Sequence, residues 1–158
     1  MVVKKIGSEP DSTGAIVTAT YMEAIGGSRI VPVLMKNFVK LIEDGHASNW
    51  VTFNNKSKAI YIEIDNKIVG LIVYDHRFDD LFKTAWMIFS WVDENYRRRG
   101  LFKILHKYFE KVLKETGSTK IASYVSVNNA ARLAANESVG MIKHCYRMEK
   151  HLEQNDWQ

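Results

Sequence analysis

Arg97-Arg98-Arg99-Gly100 stands directly before an apolar, helix-like run that opens at Leu101. Arginine supplies charge and a planar fork of donors matched to phosphate oxygens. Glycine lets the chain turn tightly and lets a ligand approach the backbone. If a helix starts at Leu101, its unpaired first-turn N–H groups and the positive end of its dipole face the same spot. The chemistry this spacing suits is binding of a phosphate-bearing ligand. On the residues alone, a solvated basic loop and a nucleic-acid contact compete with it. Against the latter, the turn lacks aromatics interleaved with a long basic stripe. Neither a Walker A sequence nor G-x-G-x-x-G occurs. Cys145 is the single cysteine, so an internal disulfide and Cys/His zinc spacing are both excluded, and no metal site is expected. A buried, inert thiol is the expectation for it.

These residues need a scaffold, and 158 residues are enough for one domain with a real core. Hydrophobic residues are 46% and charged ones 25%, a globular balance, and the net charge of +4 leans mildly toward anionic partners. The opening "MVVKKIGSEPDSTG" has early lysines but no apolar core or cleavage site of a signal peptide. No run approaches the roughly 18 apolar residues of a membrane span. A reducing, cytoplasmic setting without a membrane partner is the default.

Residues 1–14 read as a flexible lead-in, because "GSEPDSTG" is rich in turn formers. Ala15–Met22 reads as a first strand. Val31, Leu34, Met35, Phe38, Leu41 and Ile42 then mark the apolar stripe of a helix, with Pro32 in its first turn and Asp44-Gly45 at its end. "KAIYIEIDNKIVGLIVYD" predicts a hairpin turning at Asp65-Asn66-Lys67, and Asp75–Asp80 a polar loop. Thr84–Val92 is apolar on both faces, which suggests a central strand. Leu101–Thr116 is the clearest amphipathic helix, with Gly117 at its C-terminus. Lys120–Val127 reads as a strand, Ala130–Val139 as a helix capped by Asn128 or Asn129, and Met141–Lys150 as a final strand. The strand–helix–strand unit from Thr84 to Val127 favours parallel neighbours with helices on the sheet. The chain is thus expected to hold one α/β domain over 15–151 and a polar tail over 152–158.

With that setting, "FSWVDENYRRRGLFKIL" resembles the acyl-CoA pyrophosphate turn of the GNAT-type N-acetyltransferases, Arg/Gln-x-x-Gly-x-Gly/Ala. Phe102 stands where a small residue is usual. Downstream, "VNNAARLAANESVGM" resembles the family's Asn followed eleven residues later by Gly-Phe, here Asn129 and Gly140 with Met141 for Phe. The hairpin also looks like the family's second and third strands. The resemblance spans about Lys58 to Lys150. It implies a mixed, mostly antiparallel sheet with a central, parallel, splayed pair and flanking helices. It implies acetyl-CoA as co-substrate and an amine acceptor, on a small molecule or a protein. The pantetheine arm would lie between the splayed strands, with backbone donors near Ser90, Trp91 and Val92. The pyrophosphate would sit on Arg97, Arg98, Arg99, Gly100, Leu101, Phe102 and Lys103, and Asn129 would touch the cofactor.

Direct transfer needs a neutral amine, a polarised thioester and a proton for the leaving thiolate. The tyrosine that many members place four residues before the glycine is here Asn136, and an amide supplies no proton at neutral pH. Tyr146, or a water held by Asn136 or Ser138, could substitute. A carboxylate found early in the corresponding strand of some relatives falls at Trp86. Asp75, His76, Asp79 and Glu94 are the nearest polar candidates for the base, and His76 is preferred for its ordinary pKa near 6.5. These departures leave a rival, a catalytically silent GNAT fold that binds CoA or a protein partner. The single strand expected after Gly140 would leave an exposed edge, which favours a homodimer.

Overall fold

The computed structural model describes residues 2–46, 53–77 and 81–146, together with 148, 150 and 152. Six strands form one sheet in chain order: β1 (Val3–Pro10), β2 (Ile16–Met22), β3 (Lys58–Ile64), β4 (Lys67–Arg77), β5 (Thr84–Val92) and β6 (Ile121–Ala122). Neighbours β1 to β5 are antiparallel, and β5 and β6 are parallel. Three helices accompany it: α1 (Ile30–Glu43), α2 (Leu101–Glu115) and α3 (Ala130–Ser138).

Strand β5 and helix α2 form where the sequence predicts them. Strand β5 carries apolar residues to both faces because both faces are covered, although it stands fifth of the six strands. Met87 and Ala85 join Ile72, Tyr74, Leu105 and Phe109 under α2, while Phe89 joins Leu71, Val73, Leu34 and Phe38 under α1. The β3–β4 turn needs only two residues, Asp65 and Asn66, both at positive φ, a conformation in which asparagine and aspartate are tolerated. Strand β4 runs on to Arg77, so Asp75 and His76 lie in the sheet and not in a polar loop. Asp79 falls outside the described residues.

Two terminal expectations are corrected. The stretch expected to be a flexible lead-in is largely strand β1, paired from Val3↔Met22 to Pro10↔Ile16. Only Asp11–Gly14 makes the turn, where Asp11 Oδ1 accepts from the Thr13 and Ala15 N–H groups at 2.8 and 3.1 Å. Gly7 is needed in β1 because a Cβ there would meet the Tyr108 ring at 2.5 Å. At the other end, Lys120–Val127 pairs only through Ile121–Ala122. Among the described residues of the expected strand Met141–Lys150 there is no strand. A strand exists by its ladder, and the short β6 offers little to pair with. Ile142 is therefore 84% exposed, and Cys145 is exposed rather than buried.

Candidate active site

The parallel pair β5/β6 holds register only at Ala85↔Ile121 and Trp86↔Ala122. Beyond Trp86 the chains part, and a gap opens along Met87–Val92. A register shift between Val73 and Tyr74 leaves Ile88 as an extra residue of β5 in its pairing with β4, which bends the strand at the start of that gap. The stacked rings of Trp86 and Tyr124, 5.1 Å apart, mark the closed end. From Trp86 to Val92 is six residues, roughly 20 Å of extended chain.

At the open end the arginine turn is built from both sides. Asp93 closes a short 3-10 turn over Glu94–Tyr96, accepting from Asn95 N–H at 2.9 Å, and its own N–H donates to the Val69 carbonyl at 2.8 Å. Arg98 and Gly100 both adopt positive φ, +64° and +77°. Such alternation turns successive amides toward one concave side. The first helical bond of α2 is Ile104 N–H to the Gly100 carbonyl at 3.1 Å. The N–H groups of Leu101, Phe102 and Lys103 thus have no partner within the helix, and among the described residues no side chain caps them. Among the described residues a Cβ on Gly100 would meet no atom within 4 Å beyond its chain neighbours, so the glycine serves the backbone angle and leaves open space in front of the turn.

The three arginines divide by task. Arg99 makes contacts within the protein: its guanidinium carbon lies 4.8 Å from the Tyr96 ring centre, its Nη1 lies 3.7 Å from Asp11 Oδ2, and its carbonyl accepts from Ser12 N–H at 3.2 Å. Arg97 and Arg98 are exposed on the rim of the cleft.

Trp91 pairs with Leu71, and Asp93 N–H bonds to Val69, so the Trp91 backbone faces β4. By strand alternation the Ser90 and Val92 backbones face the gap. One protein group already reaches this edge: Arg132 Nη2 donates to the Ser90 carbonyl at 2.9 Å. Asn129 caps α3, its Oδ1 accepting from the Arg132 N–H at 3.1 Å.

The two catalytic candidates differ in place: Tyr146 lines the same cleft as the turn, whereas His76 is not among the lining residues. His76 shares the α2 face with Tyr74, at 5.4 Å between rings, and its Nε2 lies 3.2 Å from Ser118 Oγ. Burial and then the Lys58 charge hold its pKa below the ordinary value. Tyr146 lines the cleft but is 80% exposed. Asn136 is buried, with no hydrogen-bond partner for its Oδ1 among the described residues. Asp75 points opposite to His76, across from Trp86 and into the cleft, with Oδ2 accepting from the fully buried Ser57 hydroxyl at 3.1 Å. Sequence reasoning missed the Arg132 contact, for which the one signal was a lone arginine among small residues in "AARLAAN".

The parallel pair β5/β6 thus opens toward a helix N-terminus that no side chain caps among the described residues, which leaves room for an elongated anionic ligand. The chain belongs to the acetyltransferase (GNAT) family, whose model matches residues 29–141. Solved structures share the fold. A possible acetyltransferase from Clostridium difficile 630 is 24% identical, with TM-score 0.53 over 76% of this chain and 75% of that one. An aminoglycoside N-acetyltransferase in complex with CoA is 14% identical, with TM-score 0.63 over 92% and 96%. The ribosomal-protein-alanine N-acetyltransferase of Brucella melitensis biovar Abortus 2308 is 11% identical, with TM-score 0.62 over 86% and 99%. No curated protein matches the sequence. Among the described residues no helix is long and apolar enough to cross a membrane, and no group of side chains could hold a metal ion.

Proposed function

We propose that this protein transfers an acetyl group from acetyl-CoA to a primary amine, borne by a small molecule or by a protein. The observation that carries this reading is the gap between β5 and β6, closed at Trp86 and open at the amides of Leu101–Lys103. The pyrophosphate would sit on those amides, with Arg97 and Arg98 adding charge. The pantetheine arm would run down the β5 edge and bring the thioester toward the Ile88 bulge, with the Ser90 or Val92 N–H polarising its carbonyl. The amine would enter from the α1 side of the sheet. Its nitrogen attacks the thioester carbon, the C–S bond breaks, and CoA leaves as a thiolate that must be protonated. Asp75 suits the acceptor side better than His76, because it faces the cleft beside the Trp86–Tyr124 plate and can take the proton the nitrogen loses. Tyr146, also in the cleft lining, is the donor proposed for the thiolate. Solved relatives of this fold include enzymes named for aminoglycosides and for a ribosomal-protein alanine, which agrees with an amine acceptor of either kind.

The silent-binder reading draws on Asn136, a buried amide where many relatives carry an acid. Both readings require CoA binding. Acetyl-CoA held at about 100 times its dissociation constant should stabilise the fold by about 2.7 kcal/mol. A thermal melt with 1 mM acetyl-CoA tests this, and an unmoved midpoint removes both readings. Asp75→Asn should lower kcat with little change in acetyl-CoA affinity, and an unchanged kcat would take Asp75 out of the mechanism.

A further inference from the structure

The turn between β1 and β2 is remote from the cleft in sequence, yet it holds the arginine turn from behind. Ser12 N–H donates to the Arg99 carbonyl at 3.2 Å. Beside it, the Asp11 carboxylate has no exposed side-chain surface. Its Oδ1 accepts from the Thr13 and Ala15 N–H groups at 2.8 and 3.1 Å and from the Thr13 hydroxyl at 2.7 Å. Its Oδ2 is buried with no hydrogen bond among the described residues, and Arg99 Nη1 at 3.7 Å is the cation that answers it. A buried carboxylate oxygen is costly without such an answer. On its other side Arg99 lies 4.8 Å from the Tyr96 ring centre. Lys67, next to the β3–β4 turn and 3.5 Å from Asp93, lies 5.0 Å from the same ring centre. Two hairpin tips therefore grip the segment from Asp93 to Gly100.

The backbone of that segment needs a grip. Arg98 holds φ at +64°, a region that a residue with a Cβ keeps only where its surroundings over-determine it. The planar peptide says what the grip accomplishes. In a trans peptide the carbonyl and the following N–H point in opposite directions. The Arg99 carbonyl points at Ser12, so the Gly100 N–H points away from the β1–β2 turn. Arg97, Arg98 and Gly100 line the cleft, whereas Arg99, Asp11 and Ser12 do not. We propose that Asp11 is a positioning residue: acting through Arg99, it fixes the Arg99–Gly100 peptide so that the Gly100 N–H faces the cleft beside the Leu101–Lys103 amides. This rests on the reading of those amides as the pyrophosphate site, and it places the control of their geometry in a separate hairpin. Strand β1 then does more than edge the sheet, because its turn sets the shape of the anion site from outside it.

The test uses Asp11→Asn, which keeps Oδ1 for the two N–H groups and removes the charge facing Arg99, together with Arg99→Met and the double variant. Each single substitution should weaken CoA binding about 3- to 10-fold in a titration well below the melting midpoint. The double variant should bind CoA no more weakly than the weaker single, because both substitutions break one pair. KM for acetyl-CoA should rise by the same factor while kcat at saturating acetyl-CoA holds, a split that a merely structural contact does not give. Wild-type CoA affinity in Asp11→Asn, or losses that multiply in the double variant, would overturn the proposal. Hydrogen exchange of the Ser12 N–H in the unliganded proteins gives a readout that needs no CoA. That N–H should be protected in wild type and lose protection in both single variants, while amides of the β2–β3 ladder keep theirs. If wild type binds no CoA, the pyrophosphate reading falls and Ser12 exchange alone decides the brace: lost protection upholds it, and unchanged exchange overturns it.

Discussion

Replacing Gly100 by alanine separates the cost of the turn's backbone from the cost of blocking its ligand. At φ +77° an alanine pays the left-handed penalty of about 1–2 kcal/mol. Among the described residues no atom beyond its chain neighbours lies within 4 Å of the new methyl group, so no clash adds to that figure. For a chain of this size the melting midpoint should fall by about 2–8 °C. Binding should suffer separately, because the methyl group projects into the space in front of the Leu101–Lys103 amides. Losing one charge-assisted amide contact to phosphate weakens CoA by about 10-fold or more. Gly27→Ala is the control: it has φ +72° and the same open surroundings, and it lies away from the cleft lining. It should lower the midpoint by a similar amount and leave CoA affinity unchanged. The assay is a calorimetric titration of CoA into each protein well below its midpoint. Equal CoA affinity in wild type and Gly100→Ala would refute the turn as the pyrophosphate site.

Gly7→Val should destabilise the fold by about 1–3 kcal/mol through overpacking against Tyr108, without altering CoA affinity of the folded protein, as urea unfolding and titration would show. Stability should also depend on pH through two histidines. Burial lowers the pKa of His106 against the pull of Glu110, and burial with the Lys58 charge lowers that of His76. The unfolded chain then takes up protons first as pH falls through about 6.5, so the midpoint should drop between pH 7.5 and 5.5. His106→Gln should flatten that slope. A midpoint that holds or rises on acidification would contradict the assignment.

What was legible in the sequence and what was not divides along physical lines. Strand β5 declared itself by an apolar run on both faces and helix α2 by its amphipathic period, and the arginine turn could be placed between them for that reason. Strand β1 was hidden because it is a largely exposed edge whose polar residues and Gly-Ser-Glu-Pro sequence mimic a loop. The strand expected over Met141–Lys150 is absent among its described residues because pairing needs a neighbour, and β6 is two residues long. The anion half of the site was local, one turn and one helix start, so its residues could be named in order. The remaining half is tertiary. Which face of β4 carries Asp75 depends on the sheet register, and that Arg132 meets Ser90 across 42 positions of chain is a product of the splay.

Release of free thiol from acetyl-CoA, followed over time with a panel of primary amines, tests the central claim most directly. Acetyl transfer predicts thiol release that requires both the protein and an amine, saturates in acetyl-CoA and falls about 10-fold or more in Gly100→Ala at subsaturating cofactor. Saturable CoA binding with no amine-dependent release from any member of the panel would contradict it and leave the silent-binder reading in its place.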